Sequence, residues 1–205
     1  MLLNVNQLYL KGGEEVDRSL TMLEKEWRHI ESAQTWSILE DNSVSAAEAC
    51  INFAVVGAQI LSVRQHPDDR VRWIDAALKC AQRFHVATRE AILWNSLGVA
   101  HADLNQATRA IECHERALTL ARASGDLRCQ STALGNLGVA YSDIGQTRRA
   151  IEYYEQDLTI LQTLGTRREE SVTLGNLGLA YAALGEITRA ISYHKKHLHI
   201  AHDAG

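Results

Sequence analysis

Asn136 and Asn176 stand forty residues apart in two near-copies, "LGNLGVAYSDIGQ" from Leu134 and "LGNLGLAYAALGE" from Leu174. An asparagine amide offers a donor and an acceptor together, so it can grip a peptide backbone whatever side chains that backbone carries. Asparagine inside a helix is unfavourable enough to want a reason. The competing reason is hydrogen bonding to neighbouring helices of the same molecule. Other residues of chemical interest form weaker constellations. His194, His197, His199 and His202 crowd one segment, and their i,i+3 pairs could turn two imidazoles toward a metal ion. No carboxylate or cysteine joins them in a recognised ligand pattern, so no metal site is assigned. Ser131 and Ser171 have no histidine partner implied by spacing, and no GxxxxGK[ST] phosphate loop occurs. Neither catalysis nor a cofactor is expected.

The elements that would position these residues are helical. The chain has 205 residues, 46% hydrophobic and 22% charged, a composition neither disordered nor membrane-embedded. Its net charge of −4 gives no basic field for a nucleic-acid partner. The most apolar stretch, Ile51 to Leu61, is too short to span a bilayer, and "MLLNVNQLYLKGG" lacks the features of a secretory signal. Cys50, Cys80, Cys113 and Cys129 share no CxxC spacing and read as free thiols in a reducing cytoplasm. Pro67 is the one proline, and no stretch sustains strand alternation, so the fold class is all-α.

A forty-residue register runs through three copies. Gly98, Gly138 and Gly178 share a position, as do Leu97, Leu137 and Leu177, and then Ala110, Ala150 and Ala190. Asn105, Gly145 and Gly185 fall between the two helices of each copy, and Gly125, Gly165 and Gly205 after the second. These residue types best tolerate the left-handed conformation that ends a helix. Gly98, Gly138 and Gly178 lie inside a helix, where glycine costs ~1 kcal/mol against alanine. The expected compensation is close approach of the second helix through Ala110, Ala150 or Ala190. A degenerate copy precedes these, with its second helix over 70–86 and a start signal at Pro67, Asp68 and Asp69. Its first helix runs from about Ser45, which with Glu48 makes a capping-box pattern, to about Val63. Arg109, Arg149 and Arg189 repeat at forty and read as ion pairs between copies or a solvated ridge.

The small residues at these packing points resemble the tetratricopeptide repeat, in its forty-residue kinesin-light-chain-like form. Tyr141 and Tyr181 fill the aromatic slot of the first helix, with His101 in the earlier copy. Tyr154 fills that of the second, flanked by His114 and His194, and the next small position holds Ala117 but then Asp157 and His197. The resemblance implies a right-handed α-solenoid of antiparallel helix pairs. Residues 1–43 form a linker and amphipathic helix, whose Val16, Leu20, Leu23, Trp27 and Ile30 make a capping stripe that also accounts for Trp36. Residues 44–205 form about four helix pairs. "LYLKGGEEVDRSLTMLEKEWRHIESAQTW" and "SVRQHPDDRVRWIDAAL" further resemble the segment preceding the tetratricopeptide sensor of bacterial NB-ARC (STAND-type) signalling ATPases. "AHDAG" stops at a linker glycine with Ile191, Leu198 and Ile200 uncovered, so the native protein is expected to continue, or this end to pack on another copy.

The resemblance implies a cytoplasmic, non-catalytic module that binds a protein or peptide on its concave face. In the family register that face carries Asn95, Val99 and Asp103, then Thr132, Gly135, Asn136, Val139 and Asp143, then Gly175, Asn176 and Leu179. Asp103 and Asp143 point to a neutral or basic ligand segment. The competing functions are an oligomerisation scaffold and a free-standing regulator of a partner enzyme.

Overall fold

A computed structural model of the chain describes residues 13–39, 43–56 and 66–203, with isolated positions 7, 9 and 11. Nine helices occur among the described residues: α1 Glu14–Leu39, α2 Val44–Val56, α3 Pro67–Arg83, α4 Ala87–Asp103, α5 Ala107–Ser124, α6 Leu127–Asp143, α7 Thr147–Leu164, α8 Arg167–Ala183 and α9 Ile187–Asp203. They fall into two compact units, Met1–Asn105 and Gln106–Gly205.

The helix ends follow local chemistry. Pro67 sits in the first turn of α3, where its missing N–H costs nothing, and His66 caps it, Nδ1 accepting from the Asp68 N–H at 3.4 Å. Asp126 caps α6 by accepting from the Cys129 N–H at 3.0 Å, and that bond holds its carboxyl below the ordinary range. Asn105, Gly125, Gly145, Gly165 and Gly185 all take positive φ, from 57° to 76°. Gly205 lies outside the described residues. His85 joins them at φ 54°. It stands forty residues before Gly125, so the degenerate copy stops its second helix with a residue that pays for the left-handed turn. At the start of α2 the cap is Ser43 rather than Ser45: its Oγ accepts from the Ala46 N–H at 3.3 Å. Of the helix expected from Ser45 to Val63, positions 57–63 lie outside the described residues.

In the first unit, α1 packs on α2 and α2 on α3, which packs on α4. Leu23 and Ile30 are fully buried, with Leu20, Met22, Trp27, Phe53 and Trp73 around them. The Trp27 and Trp73 rings stack at 6.4 Å between centroids. This accounts for the apolar stripe of α1, but Trp36 is half-exposed and takes no part. The four cysteines are free, and burial pushes the Cys50 thiol up to about 12.

In the second unit each helix packs on the next from α5 to α9. The glycines inside α6 and α8 each face a ring of the following helix. A Cβ on Gly138 would lie 2.3 Å from the Tyr154 ring, and one on Gly178 would lie 2.5 Å from the His194 ring. The bare backbone is therefore a seat for a ring from the following helix, while Ala150 and Ala190 are buried in their own right. The repeated arginines have partners of the same kind. Arg149 lies 5.3 Å over the Tyr141 ring and Arg189 5.4 Å over Tyr181, each tyrosine stacking on Tyr153 or Tyr193 at 5.3 Å. Each tyrosine hydroxyl also donates to a carboxylate one repeat back, Tyr141 to Glu115 at 3.2 Å and Tyr181 to Glu155 at 2.9 Å. Arg189 adds an ion pair with Glu186 at 2.9 Å.

A substitution that relieves the left-handed strain is expected to stabilise. His85→Gly will raise the urea midpoint by the equivalent of about 1 kcal/mol and Asn105→Gly by less, since Asn tolerates this conformation better. A fall in either midpoint shows that the native side chain contributes more than its backbone costs.

Candidate peptide-binding face

Helices α6 and α8 carry the sequence-derived site residues of the second unit, and α7 fixes how the two lie. Asp157 of α7 is 3% exposed and reaches both. The Ser131 hydroxyl of α6 donates to Oδ1 at 2.5 Å and the Thr173 hydroxyl of α8 to Oδ2 at 2.7 Å. Burial pushes this carboxyl above the ordinary range, against the opposing effect of the two hydroxyls. Gly135 faces this carboxylate with bare backbone: a Cβ there would lie 3.4 Å from Oδ2, in ordinary contact with it. The next pair repeats the arrangement with another group. His197 of α9 meets Ser171 through Nδ1, 2.9 Å from the hydroxyl and 2.8 Å from the carbonyl oxygen, and lies opposite Gly175.

Along α6, Thr132, Gly135, Asn136, Val139 and Asp143 recur at helical spacing on one face. Thr132 is exposed, its hydroxyl turned back to the Arg128 carbonyl at 3.0 Å. Asn136 is half-buried, Val139 44% exposed, and Asp143 exposed with no ion pair among the described residues. On α8 the same register gives Val172, Gly175, Asn176 and Leu179, with Val172 57% and Leu179 64% exposed. The Asn136 and Asn176 amides have no hydrogen-bond partner among the described residues. Both are thus placed to offer donor and acceptor outward, flanked by aliphatic side chains in water.

In the first unit α4 places its three candidates differently from one another. Val99 is exposed. Asn95 is buried and engaged within the protein. Asp103 is taken up by an ion pair with the nearly buried Arg70. Of the two acids read from the sequence, Asp143 is the one whose charge stands open.

Asp157, Thr173 and His197 were missed as parts of this face. A signal was present in the register: the first-helix residue shrinks from Asn95 to Gly135 and Gly175 where the second-helix residue grows from Ala117 to Asp157 and His197. The histidines of α9 do separate work, His194 seated on Gly178 and His197 on Ser171. No group of three or more His, Cys, Asp or Glu able to hold a metal occurs among the described residues.

Two tetratricopeptide repeat family models match residues 88–163 and 173–205, together more than half of the chain. The chain belongs to the tetratricopeptide repeat family. Its fold is the all-α solenoid of antiparallel helix pairs, and this family is one of protein-binding modules, generally without catalytic activity. No curated protein matches the sequence. Among solved structures this tetratricopeptide protein is similar to BtubC (BKLC) from P. vanneervenii, at 18% identity and a TM-score of 0.74, over 99% of this chain and 87% of that one. It is similar to a putative kinesin light chain with nearly identical repeats from P. anserina, at 16% identity and 0.70, over 99% and 94%. It is also similar to a STAND protein with a tetratricopeptide repeat sensor from Pyrococcus horikoshii, at 14% identity and 0.71, over 98% of this chain but 30% of that one. No helix among the described residues is long and apolar enough to cross a membrane.

His114 supplies a pH dependence. It occupies in α5 the register of Tyr154 and His194, is 2% exposed, and burial lowers its pKa to about 4. The unfolded chain binds the proton first, so the neutral ring's contribution is fully present above pH ~6.5 and is lost as pH falls toward 4. The loss from this group amounts to ~3 kcal/mol. Denaturant melts between pH 7.5 and 4 will show a steeper decline for the native chain than for His114→Tyr, which carries the residue of the next repeat. Parallel profiles would relocate the pH dependence.

Proposed function

We propose that this chain is a non-catalytic module that binds an extended protein segment across α6 and α8. The observation that carries this reading is the pair Asn136 and Asn176, two outward amides without partners among the described residues, set beside exposed Val139, Val172 and Leu179. The amides would hold the ligand backbone and the aliphatic residues its side chains. Asp143, on the same face, favours a neutral or basic segment. The finer reading is that the module serves as the ligand-sensing region of a cytoplasmic STAND-type signalling ATPase. The likeness to the P. horikoshii sensor protein supports it, since nearly all of this chain superposes on less than a third of that one. A ligand would then act on the switch by its differential affinity for two states of the larger protein.

A second reading, self-association, is favoured by one observation. Ile187, Ile191 and Leu198 on α9 are 58%, 50% and 64% exposed, whereas Ile151, forty residues before Ile191, is buried. Ile200, expected to be uncovered, is buried too, so the bare stripe is narrower than the sequence implied. Sedimentation velocity separates the readings: a monomer at every concentration removes this one.

For the binding face, the double substitution Asn136→Ala with Asn176→Ala is expected to weaken binding of a library-selected peptide by tenfold or more, about the effect of two lost hydrogen bonds. Melting temperature and helicity will stay near those of the native chain, because neither amide holds a structural bond among the described residues. Unchanged affinity would place the ligand elsewhere.

A further inference from the structure

The floor of the proposed face contains a buried acid with no countercharge, and burial of a carboxylate is costly unless a cation meets it. Asp157 receives two neutral hydroxyls, from Ser131 and Thr173, and nothing cationic among the described residues offsets the cost of its burial. The neighbourhood adds negative charge instead: Tyr154, one turn earlier on α7, is pushed up to about 12 by its burial and then by Asp143 and Asp157. A helix pair that only needed packing could place alanine here, as Ala117 does forty residues earlier. The acid also lies beside Gly135, a half-buried residue of α6. Gly135 separates it from the surface with bare backbone, and Oδ2 lies 3.4 Å from where a Cβ would stand. Gly135 is followed directly by Asn136, so it adjoins an amide that the proposed function assigns to the ligand backbone.

We infer that Asp157 determines specificity, selecting a ligand that lays a lysine or arginine side chain across Gly135. This inference rests on the peptide-binding reading above and deepens it. A peptide held in extended form by Asn136 directs alternate side chains toward the protein, and one of these falls over the bare glycine. An ammonium or guanidinium group there comes into range of Oδ2 with only backbone between, beside a carboxylate that is itself buried, where a charge pair is stronger than at an open surface. Asp143, exposed on the same helix, adds attraction of the same sign without competing for the slot. At the corresponding place in the next pair an imidazole, that of His197, and not a carboxylate lies under Gly175, so the preference belongs to one position of the ligand.

The test uses the full chain and a positional-scanning library of N-acetylated, C-amidated nonapeptides. The native chain is expected to enrich lysine or arginine at a single position, Asp157→Asn to lose that enrichment, and Asp143→Asn to lower retention of basic peptides overall without removing the positional preference. In the best peptide, replacing the selected lysine with norleucine, which keeps the stem and removes the charge, will weaken binding to the native chain by about tenfold. That comparison holds even if Asp157→Asn melts early. Peptides selected with no basic preference, or a preference that survives Asp157→Asn or depends on Asp143, overturn the inference and leave the peptide-binding reading standing. Retention of no peptide at all overturns both.

Discussion

The second unit depends on one steric constraint: a helix can seat a ring from its neighbour only where it gives up its own side chain. Gly138 under Tyr154 and Gly178 under His194 meet it, at separations that no Cβ could share. Alanine at Gly138 would gain helix propensity of ~1 kcal/mol and lose the seat. Tyr154 would then have to move, and with it the α7 backbone that carries Asp157. Helix spacing, the position of the buried acid and the exposure of the neighbouring asparagines therefore follow from a missing methyl group. The cost that these glycines impose inside a helix is offset by the room they give to the Tyr154 and His194 rings.

Much of the fold was legible because its signals are local. A left-handed stop favours Gly or Asn whatever surrounds it, so Gly125, Gly145, Gly165, Gly185 and Asn105 could be placed from residue type and spacing. Pro67 with two following acids marks a helix start by the same local logic. His85 was not legible, since nothing in a histidine announces positive φ and only its register with Gly125 betrays it. The arginines show the other limit. Their period was evident, but whether a guanidinium meets a carboxylate or a tyrosine face is decided by a neighbour far away in sequence, and Arg149 and Arg189 found rings.

The candidate face divides in the same way. Spacing put Asn136, Val139, Asn176 and Leu179 on helix faces that water reaches, because the 3.6-residue period alone separates those positions from the buried Leu137 and Leu177. Period alone could not separate Asn95 from them. It holds the register of Gly135, not of Asn136, and one residue of shift turns it inward. Nor could it show that Asp103 is committed to Arg70, a partner thirty-three positions away. The buried acid between the two helices, Asp157, lay where a small residue was expected, and its two hydroxyl donors come from helices on either side.

That double attachment makes the repeats unequal as modules. A forty-residue unit in an idealised array could be duplicated, deleted or shuffled with little harm, since each copy would meet the same neighbour. Here the unit bearing Asp157 brings its own Ser131 and Gly135 but fits only before a successor offering Thr173. Excise it by recombination, and Thr173 would face the aliphatic environment of Ala117 with its hydroxyl unsatisfied; double it, and a second buried acid would inherit only part of its cradle. Rearrangement in steps of one repeat therefore carries a stability cost at this point of the chain. Its order of repeats is an inherited sequence rather than a reusable unit.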